Sequence, residues 1–565
     1  MKQQTAIVIG AGAGGIATAA RLTRAGFKVT VMEKNSFTGG RCSLIYENGY
    51  RFDQGPSLLL LPRLFNLTFE ELGTSLEAEG IDLRKCEPNY RVWFDDGHQF
   101  ELSTDLAAMK KEIARWEGQD GVDRYYRFLS ESHLHYEVSV DHVLLKNFYS
   151  LLSILRPSFL RYIAILHPFE SMWRRASLYF YTERLRRVFT FGSMYMGMSP
   201  FDAPGTYSLL QYTELAEGIW YPVGGFHRVL QALVEVGKRM GVEYRMNTNV
   251  EKIVLGDHGV RGVQVGGKLI EADVIVNNSD LVYAYNNLMP PTTYSTSLSN
   301  RPASCSSISF YWALDRQVPE LDTHNIFLAK DYKESFDSIF KKHLIPDEPS
   351  FYVNVPSRVD ASAAPEGKDT IVVLVPVGHM TDKNGANQDW PRMISMARTT
   401  VISTIKSRMG IDLGPLIVHE ETNDPETWKQ KFNLDKGAIL GLSHSFFNVL
   451  SFRPRTKARR PGWIDGKFGT ELPGRVVEQF ADLFRGQAKY INGLYMVGAS
   501  VYPGTGVPIV MAGGRLVAEQ VLQDYHMPIP WARKRDVWQN PWMGWSEMVM
   551  MAVLAIVVGM YFFLM

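Results

Sequence analysis

The chain has 565 residues, of which 60 are lysine or arginine and 59 are aspartate or glutamate, so its formal net charge is +1. This balance points to no nucleic-acid partner, and the length is enough for more than one domain with a large core. The three cysteines, Cys42, Cys86 and Cys305, have no paired spacing, which argues against a disulfide framework and a cysteine-rich metal site and is typical of a reducing compartment.

The first predicted elements form a strand, a turn, a helix and a second strand. Residues 6–9 are apolar and β-branched, which predicts a buried strand, and the alanine-rich residues 16–25 predict a helix. The second strand covers residues 28–32 and is followed by Glu33. Because the first strand begins so close to the start of the sequence, we expect no signal peptide.

The turn after the first strand has the spacing G-x-G-x-x-G at Gly10, Gly12 and Gly15, with a further glycine at Gly14. Gly10 allows a tight turn, Gly12 lets backbone N–H groups approach a pyrophosphate, and Gly15 lets the helix pack close to the strand. The helix N-terminus then faces the phosphates, and Glu33 can hold ribose hydroxyls. An acid at this position favours FAD or NAD over NADP, and the alternative is a plain βαβ unit.

The next segment distinguishes FAD from NAD. It contains the run GGR at residues 39–41 and the run FDQGP at residues 52–56. Both resemble segments of flavoproteins of the amine oxidase and carotenoid desaturase type, in which this part of the chain folds over the flavin. The resemblance implies FAD as the cofactor, bound within a first piece of the FAD domain at residues 1–85. It assigns cofactor binding to Gly40, Arg41, Gly55 and Pro56.

A hairpin is predicted within residues 86–105. Residues 90–94 and 99–102 alternate in polarity around an Asp-Gly turn, which is typical of two antiparallel strands. We expect this hairpin to join a second sheet on the substrate side.

Residues 106–200 predict a helical cap. Residues 143–180 are strongly apolar and aromatic, with interspersed arginines, and Pro157 and Pro168 interrupt them. This composition favours a surface that enters the headgroup region of a bilayer. The alternative is a cap on a soluble domain, with the arginines facing water.

Residues 201–285 predict a second piece of the FAD domain. The run GIWYPVGGFH at residues 218–227 resembles the segment before the return to the FAD domain in phytoene desaturases, and we expect His227 to be structural. A buried strand is predicted at 272–278. The strand entered at residues 249–251 resembles a strand that contacts the adenine through its backbone in FAD proteins of the glutathione-reductase type, which assigns Val250.

Residues 286–459 predict a second, α+β domain for the substrate. Residues 306–314 and 370–377 are predicted strands, and residues 390–409 are a predicted helix. Residues 460–489 are interpreted as an insertion, to which we assign no role.

The third piece of the FAD domain is predicted at residues 490–527. A buried strand ends in a glycine turn and leads through the run PGTGVP into a helix, so that backbone N–H groups can face the flavin or the phosphates. The fold class is therefore α/β, with a discontinuous Rossmann-like FAD domain of the glutathione-reductase or amine-oxidase type. The cofactor-binding residues predicted in this piece are Gly498, Ala499, Gly506, Val507 and Pro508.

The C-terminal tail predicts a membrane anchor. After a linker at residues 528–547, residues 548–565 carry no charge, close to the ~20 residues that span a bilayer at ~1.5 Å rise each. Three tryptophans precede this stretch, and the basic residues 533–535 lie upstream. We expect a transmembrane helix with the catalytic body facing the cytoplasm, at the endoplasmic reticulum in a eukaryote; the alternative is a buried C-terminal helix.

Taken together, the motifs GAGAGG, GGR, FDxGP and VGASxxPGTGVPxVxAGG resemble the bacterial and fungal phytoene desaturases, over about residues 5–525, and the length and tail resemble the fungal members most. The departures are the insertion and Gly513-Gly514 inside the last helix. The resemblance implies FAD-dependent, stepwise dehydrogenation of 15-cis-phytoene towards lycopene or a related polyene. It implies acyclic C40 polyenes and membrane lipid as partners, and leaves a quinone or oxygen open as electron acceptor.

No catalytic side chain and no metal site is predicted. Glu217 and Asp202 lie near motifs, but such carboxylates are more often exposed, and Tyr221 and Phe226 are our predicted wall for guiding the substrate. One alternative is another membrane-anchored FAD oxidase of the amine oxidase or protoporphyrinogen oxidase type, against which the PGTGVP run argues. The other is a flavin-binding scaffold of the Rab-escort type without catalysis, against which the intact flavin motifs argue.

Overall fold

The computed structural model describes residues 3–148, 157–382, 388–445, 448–449, 452–460 and 490–532. The predicted transmembrane helix at 548–565 and the predicted insertion, apart from its first residue, lie outside these residues and stay predictions. Within the described ranges, no helix combines the length and the apolarity that a bilayer crossing requires.

The described residues form strands and helices in the following chain order. The strands are β1 (Thr5–Ile9), β2 (Lys28–Met32), β3 (Leu44–Glu47), β4 (Tyr50–Asp53), β5 (Leu83–Cys86), β6 (Tyr90–Trp93), β7 (Gln99–Leu102), β8 (Ile219–Pro222), β9 (Glu243–Arg245), β10 (Lys252–Leu255), β11 (Val260–Val265), β12 (Lys268–Glu271), β13 (Val274–Asn277), β14 (Ser306–Leu314), β15 (His324–Phe327), β16 (Phe351–Asn354), β17 (Thr370–Val377), β18 (Ile417–Asn423), β19 (Lys457–Arg459) and β20 (Tyr490–Met496). The helices are α1 (Ala13–Arg24), α2 (Pro62–Glu70), α3 (Leu106–Ser139), α4 (Pro157–Leu166), α5 (Met172–Ala176), α6 (Glu183–Val188), α7 (Leu209–Tyr212), α8 (His227–Met240), α9 (Leu281–Tyr283), α10 (Thr293–Ser299), α11 (Tyr332–Asp337), α12 (Trp390–Met409), α13 (Pro425–Phe432) and α14 (Val507–Asp524). Short π-helical segments lie at Val140–Leu144, Thr213–Glu217, Ala284–Leu288 and Ser338–Lys342.

The first sheet has six strands in the order β19-β20-β13-β1-β2-β9. Its strands from β20 to β9 pair in parallel, and they come from three distant stretches of the chain. Strand β19 pairs antiparallel with β20 at the edge, although its residues fall within the range predicted for the second domain. This pairing gives backbone groups of β20 hydrogen-bond partners at the edge of the sheet. The periodicity of the sequence did not indicate that residues 457–459 belong to this sheet.

Helix α1 packs against both α8 and α14 beside this sheet. Ala6 and Val8 of β1 and Ile16 of α1 are buried in their shared core. A Cβ atom at Gly514 would lie 2.9 Å from Thr18 Oγ1 and 3.1 Å from the Gly14 carbonyl oxygen. Gly514 therefore permits close approach of α14 to α1.

The second sheet has seven strands in the order β18-β14-β17-β16-β15-β6-β7. The predicted hairpin is present as β6 and β7, with Tyr90 opposite Leu102, and β6 joins the second sheet by parallel pairing with β15. Strand β14 is buried along its whole length, and the apolar side of α12, including Ala397 and Val401, packs on the core that contains Trp312. The mixed α/β class is confirmed.

A helical region, formed by helices α3 to α7, covers the β6–β7 end of the second sheet. Asp105 caps the start of α3, since its carboxylate accepts a hydrogen bond from Ala107 N at 2.7 Å. Gly118 has φ 66° and ψ −169°, which kinks α3. Phe128 and Phe189 pack edge to face in the core below, with ring centroids 5.5 Å apart. The predicted bilayer contact of this region stays a prediction.

The segment after α14 packs on the first sheet's core. Trp531 is buried there, and its indole N–H donates to Glu519 Oε1 at 3.1 Å. Ile529 is partly buried against the same core. The first residues of the linker predicted at 528–547 are therefore attached to the folded body, and the residues from 533 onward lie outside the described ranges.

Candidate functional site

A cavity of about 450 Å³ connects the carboxyl edge of the first sheet with the second sheet and the helical region. The turn after β1, the loop after β20 and the N-terminus of α14 contribute to one half of it. The residues predicted to bind the cofactor that line it are Gly10, Gly12, Gly14, Glu33, Gly40, Arg41, Gly55, Pro56, Val250, Gly498, Ala499, Gly506, Val507 and Pro508. The structure therefore brings together segments that are hundreds of residues apart in the chain.

Gly15 is the predicted cofactor residue that does not line the cavity. A Cβ atom there would lie 2.2 Å from the Gly10 carbonyl oxygen, so its glycine is required for packing of α1 on the turn. A Cβ atom at Gly12 would lie 2.8 Å from Asn278 Oδ1, and one at Gly14 would lie 2.8 Å from Val510 Cγ1. The turn therefore has no room for a side chain at Gly12 or Gly14.

The N-terminus of α1 offers backbone donors to the cavity. Its N-cap residue, Gly12, provides no side-chain hydrogen bond, and the first N–H groups of a helix have no partner within the helix. Asn278 lies opposite, with its Oδ1 buried and without a hydrogen-bond partner in the described part of the chain. Its Nδ2 donates to the Val497 carbonyl oxygen at 3.1 Å. These unused polar groups fit a phosphate-bearing ligand with hydroxyl groups.

Glu33 lies at the end of β2 with its carboxylate oriented by the backbone. Its Oε2 accepts from Ala11 N at 2.8 Å, and its Oε1 accepts from Asn35 N at 2.9 Å. The Glu33 carbonyl oxygen accepts from Thr248 N at 2.7 Å, which brings the segment of Val250 to the same end of the cavity. This arrangement fits an adenosine ribose, as the sequence predicts.

Arg41 and Asp280 bring charge to the middle of the cofactor half. Burial lowers the pKa of the Arg41 guanidinium, and the charge of Asp280 opposes this effect. Burial raises the pKa of Asp280 to about 6, and its carboxylate accepts from Tyr283 N at 3.0 Å. Asp280 and Asn278 were missed by sequence reasoning, although their position just after a buried strand beside β1 was a usable signal.

The loop after β20 is held by a buried arginine, Arg453, which is 1% exposed. Its guanidinium donates to the carbonyl oxygens of Ala499, of Val501 at 3.2 Å and of Asn448 at 2.9 Å. It also donates to the Ser443 carbonyl oxygen at 3.2 Å. Burial lowers the pKa of Arg453 to about 10. Arg453 therefore positions the loop that carries Gly498 and Ala499, a role that sequence reasoning did not identify.

The other half of the cavity is apolar. It is lined by side chains of the second sheet and the helical region, among them Phe191, Ile326, Leu328, Phe336 and Leu440. The charged side chains that line the cavity within the described residues are all in the cofactor half; they are Glu33, Lys34, Arg41 and Asp280. The apolar half thus fits an uncharged, elongated hydrocarbon better than a polar molecule.

Tyr221 does not line the cavity, so its prediction as a substrate wall is wrong. Pairing of β8 with β5 places Tyr221 in the core, where its hydroxyl donates to Asp53 Oδ2 at 2.6 Å. Phe226 does line the cavity, and its ring packs edge to face with Phe65 at 6.2 Å. Asp53 Oδ1 accepts from Phe226 N at 2.7 Å and so fixes the position of this residue.

Glu217 and His227 lie outside the cavity lining. Glu217 Oε1 accepts from the Tyr136 hydroxyl at 2.7 Å. His227 Nε2 lies 3.2 Å from Thr38 Oγ1, which is consistent with the expected structural role. Asp202 likewise does not line the cavity.

Glu131, His135 and His167 are close enough together to suggest a metal site. Both ring nitrogens of His135 are already hydrogen-bonded, to Ser208 Oγ at 2.6 Å and to the Ile165 carbonyl oxygen at 2.7 Å. Glu131 is bound by Arg175 and by the Tyr179 hydroxyl. Glu131 and His135 are therefore already engaged by internal partners.

Comparison with known proteins agrees with this geometry. Residues 13–384 match the family described as flavin containing amine oxidoreductase. The chain is 62% identical to a phytoene desaturase of Cercospora nicotianae, over 99% of this chain and 98% of that protein. It is 58% identical to a phytoene desaturase of Fusarium fujikuroi, over 97% of this chain and 94% of that protein. An oxidoreductase from Methanosarcina mazei shares the fold, with a TM-score of 0.58 at 16% identity, covering 91% and 100% of the two chains.

Proposed function

The chain belongs to the flavin-containing amine oxidoreductase family and, within it, to the phytoene desaturases of the fungal type, and from this membership we propose that it is an FAD-dependent desaturase of phytoene. The resemblance predicted from the motifs is confirmed, and FAD is the cofactor that the family and the site support. The reaction class is oxidation of a CH–CH unit in carotenoid biosynthesis.

The observation that carries the proposal is the continuity of the two halves of the cavity. The half of the cavity that fits FAD contains the backbone donors of α1 and the side chains of Glu33 and Arg41. The apolar half is continuous with this half. A C40 polyene can therefore reach the cofactor half while its carbon chain contacts apolar side chains. Other acyclic C40 polyenes can occupy the cavity in the same way.

The protein's part in the reaction is binding, orientation and exclusion of water. FAD, when bound, supplies the hydride acceptor for the dehydrogenation. Apolar side chains such as Phe191 and Ile326 orient the polyene, and Arg453 holds the loop that faces the cofactor half. Successive dehydrogenations towards lycopene or a related polyene require that the substrate slides along the apolar half. A quinone or oxygen remains our prediction for the electron acceptor.

Phytoene presented in liposomes is expected to reduce the protein-bound flavin without oxygen. Flavin absorbance would be followed after anaerobic mixing, with putrescine and protoporphyrinogen as comparison substrates. The competing hypothesis is an amine or protoporphyrinogen oxidase, which requires partners for an ammonium or for propionates. The apolar half has no charged lining residue in the described part of the chain, so we expect neither compound to bleach the flavin. Bleaching by these compounds and not by phytoene would refute the proposed function.

We propose further that the protein is attached to a membrane through its C-terminal tail, with the catalytic body on the cytoplasmic side, at the endoplasmic reticulum in a eukaryote. The uncharged sequence at 548–565 supports this proposal. Three large apolar side chains of the helical region, Phe169, Leu178 and Tyr181, are also exposed. Since phytoene gains little by moving from lipid into an apolar cavity, its affinity depends on fit, and the cavity needs access to the bilayer.

Removal of residues 533–565 is expected to release only part of the protein from membranes. The cut falls after Trp531, which packs on the core, so the folded body stays intact. Adding Phe169→Ser and Tyr181→Ser to the truncated protein should release the remainder, because these side chains are 74% and 63% exposed. Val418→Ser, at a 58% exposed position of β18, is the matched control. Flotation of vesicles at low salt measures the bound fraction. Complete release by truncation alone would show that the helical region makes no second contact with the membrane.

A further inference from the structure

A chain of hydroxyl groups leads from the cavity to a buried carboxyl group. Tyr195 lines the cavity, and its hydroxyl donates to the Tyr90 hydroxyl at 2.6 Å. The Tyr90 hydroxyl donates in turn to Glu214 Oε1 at 3.2 Å. Glu214 is only 4% exposed, and Tyr90 has no exposed surface. The three groups therefore form a continuous, directed line of hydrogen bonds from the cavity into the protein.

Glu214 lies in the π-helical segment Thr213–Glu217, a form of helix that often occurs at functional sites. Asn89 Nδ2 donates to its backbone carbonyl oxygen at 2.6 Å and holds the segment against β6. Burial raises the pKa of Glu214 to about 8, and its hydrogen bond from Tyr90 partly opposes this. In the described part of the chain, Glu214 has no ion-pair partner. Its charge can therefore change near neutral pH.

The other titratable groups around the line do not change charge in that range. Burial raises the pKa of Tyr90 and of Tyr195 far above that of a free phenol, and it does the same for Tyr352 beside them. His324, whose ring lies 5.9 Å from that of Tyr90, has its pKa lowered by burial to about 3 and stays neutral. The two phenol groups can therefore transfer a proton without becoming ionised. Of the groups in this line, only Glu214 changes its protonation state near neutral pH.

We propose that Tyr195, Tyr90 and Glu214 form a proton relay that accepts the proton leaving the substrate during dehydrogenation. The inference rests on the proposed function and adds to it the destination of the proton. A relay is needed because the charged side chains that line the cavity in the described ranges all lie in the cofactor half. The described lining of the apolar half therefore offers no other base.

The dehydrogenation removes two hydrogens from a CH–CH unit, and only one of them reaches the relay. One hydrogen of a CH–CH unit leaves with its electron pair to FAD, and the other leaves as a proton, so that the electrons of its C–H bond form the new C=C bond. That proton bonds to the Tyr195 oxygen while the Tyr195 proton moves to Tyr90 and the Tyr90 proton moves to the Glu214 carboxylate. Glu214 becomes neutral and returns its proton to water between turnovers. Tyr195 is the catalytic residue, and Tyr90 and Glu214 act through it as positioning residues.

The test is the rate of anaerobic flavin bleaching by phytoene in liposomes, measured with the full-length FAD-loaded protein at several pH values around the Glu214 pKa of about 8. Because the relay needs ionised Glu214, the rate should rise with pH through this value and then level off. Glu214→Gln should lower the rate on the order of 10²-fold and remove the rise, as expected for loss of a general base. Tyr90→Phe, which removes one oxygen atom, should have the same effect.

The matched controls are Glu217→Gln and Tyr136→Phe. This tyrosine–glutamate pair is bonded at 2.7 Å and uses the same π-helical segment, but neither residue lines the cavity. Both controls should keep the pH profile of the unchanged protein, and a loss of the profile in them would overturn the relay. So would bleaching at an unchanged rate and pH dependence in Glu214→Gln or, if that variant does not retain flavin, in Tyr90→Phe. Failure of phytoene to bleach the unchanged protein at any pH would refute the proposed function itself, and the relay with it.

Discussion

A Gly12→Val variant is expected to purify without flavin. The Cβ atom alone would lie 2.8 Å from Asn278 Oδ1, and the two methyl groups beyond it would fill the space in front of the N-terminus of α1. The backbone donors of that helix could then no longer approach a pyrophosphate. We expect at least about a 10²-fold loss of FAD affinity, equivalent to ~2.7 kcal/mol. Flavin absorbance of the purified protein and titration of the apoprotein with FAD measure this loss.

Gly256→Val is the control for this substitution. A Cβ atom at Gly256 would meet its nearest heavy atoms, Arg261 Cβ and the Gly259 carbonyl oxygen, at an ordinary 3.8 Å. Gly256 lies between β10 and β11 and does not line the cavity, so this variant should retain its flavin. Full flavin absorbance in Gly12→Val would show that the turn after β1 does not bind the pyrophosphate.

Arg453→Met is expected to lower the free energy of unfolding by several kcal/mol and to weaken flavin binding. The substitution leaves the carbonyl oxygens of Ala499, Val501 and Asn448 without their buried donor, and each such loss costs about 1–3 kcal/mol. Ala499 and Val501 line the cavity, so a displaced loop also disturbs the cofactor half. Arg453→Lys should recover only part of the loss, because an ammonium group cannot reach these acceptors as a planar fork does.

The measurement is urea unfolding followed by circular dichroism, combined with the flavin content of each variant. Arg261→Met is the control, because Arg261 pairs with Glu271 at the surface, with both side chains more than half exposed. Exposed ion pairs contribute about 0–1 kcal/mol, so this variant should unfold at nearly the original urea concentration. Equal stability of Arg453→Met and Arg261→Met would contradict the role of Arg453 in holding the loop.

The nucleotide-binding elements were predictable from the sequence because they depend on local backbone geometry. Glycines at Gly10, Gly12 and Gly15, between a buried strand and a helix, specify a turn that only a few conformations satisfy. The same holds for the strand, glycine turn and helix around Gly498 and Gly506. The order of these segments, together with their motifs, was sufficient to identify the family and the cofactor.

The tertiary structure alone decided which of these segments meet and what surrounds them. Arg453 acts on Ala499 across 46 residues of chain. The line from Tyr195 through Tyr90 to Glu214 joins residues that are 105 and 124 positions apart. Tyr221 was misassigned because its direction depends on pairing of β8 with β5, which no local pattern reveals. Periodicity reports which face of an element is apolar, whereas side-chain contacts between elements follow from strand pairing and packing over long separations. The cofactor turn was therefore determined by the sequence itself, and the apolar half of the cavity, with its buried carboxyl group, by the tertiary structure.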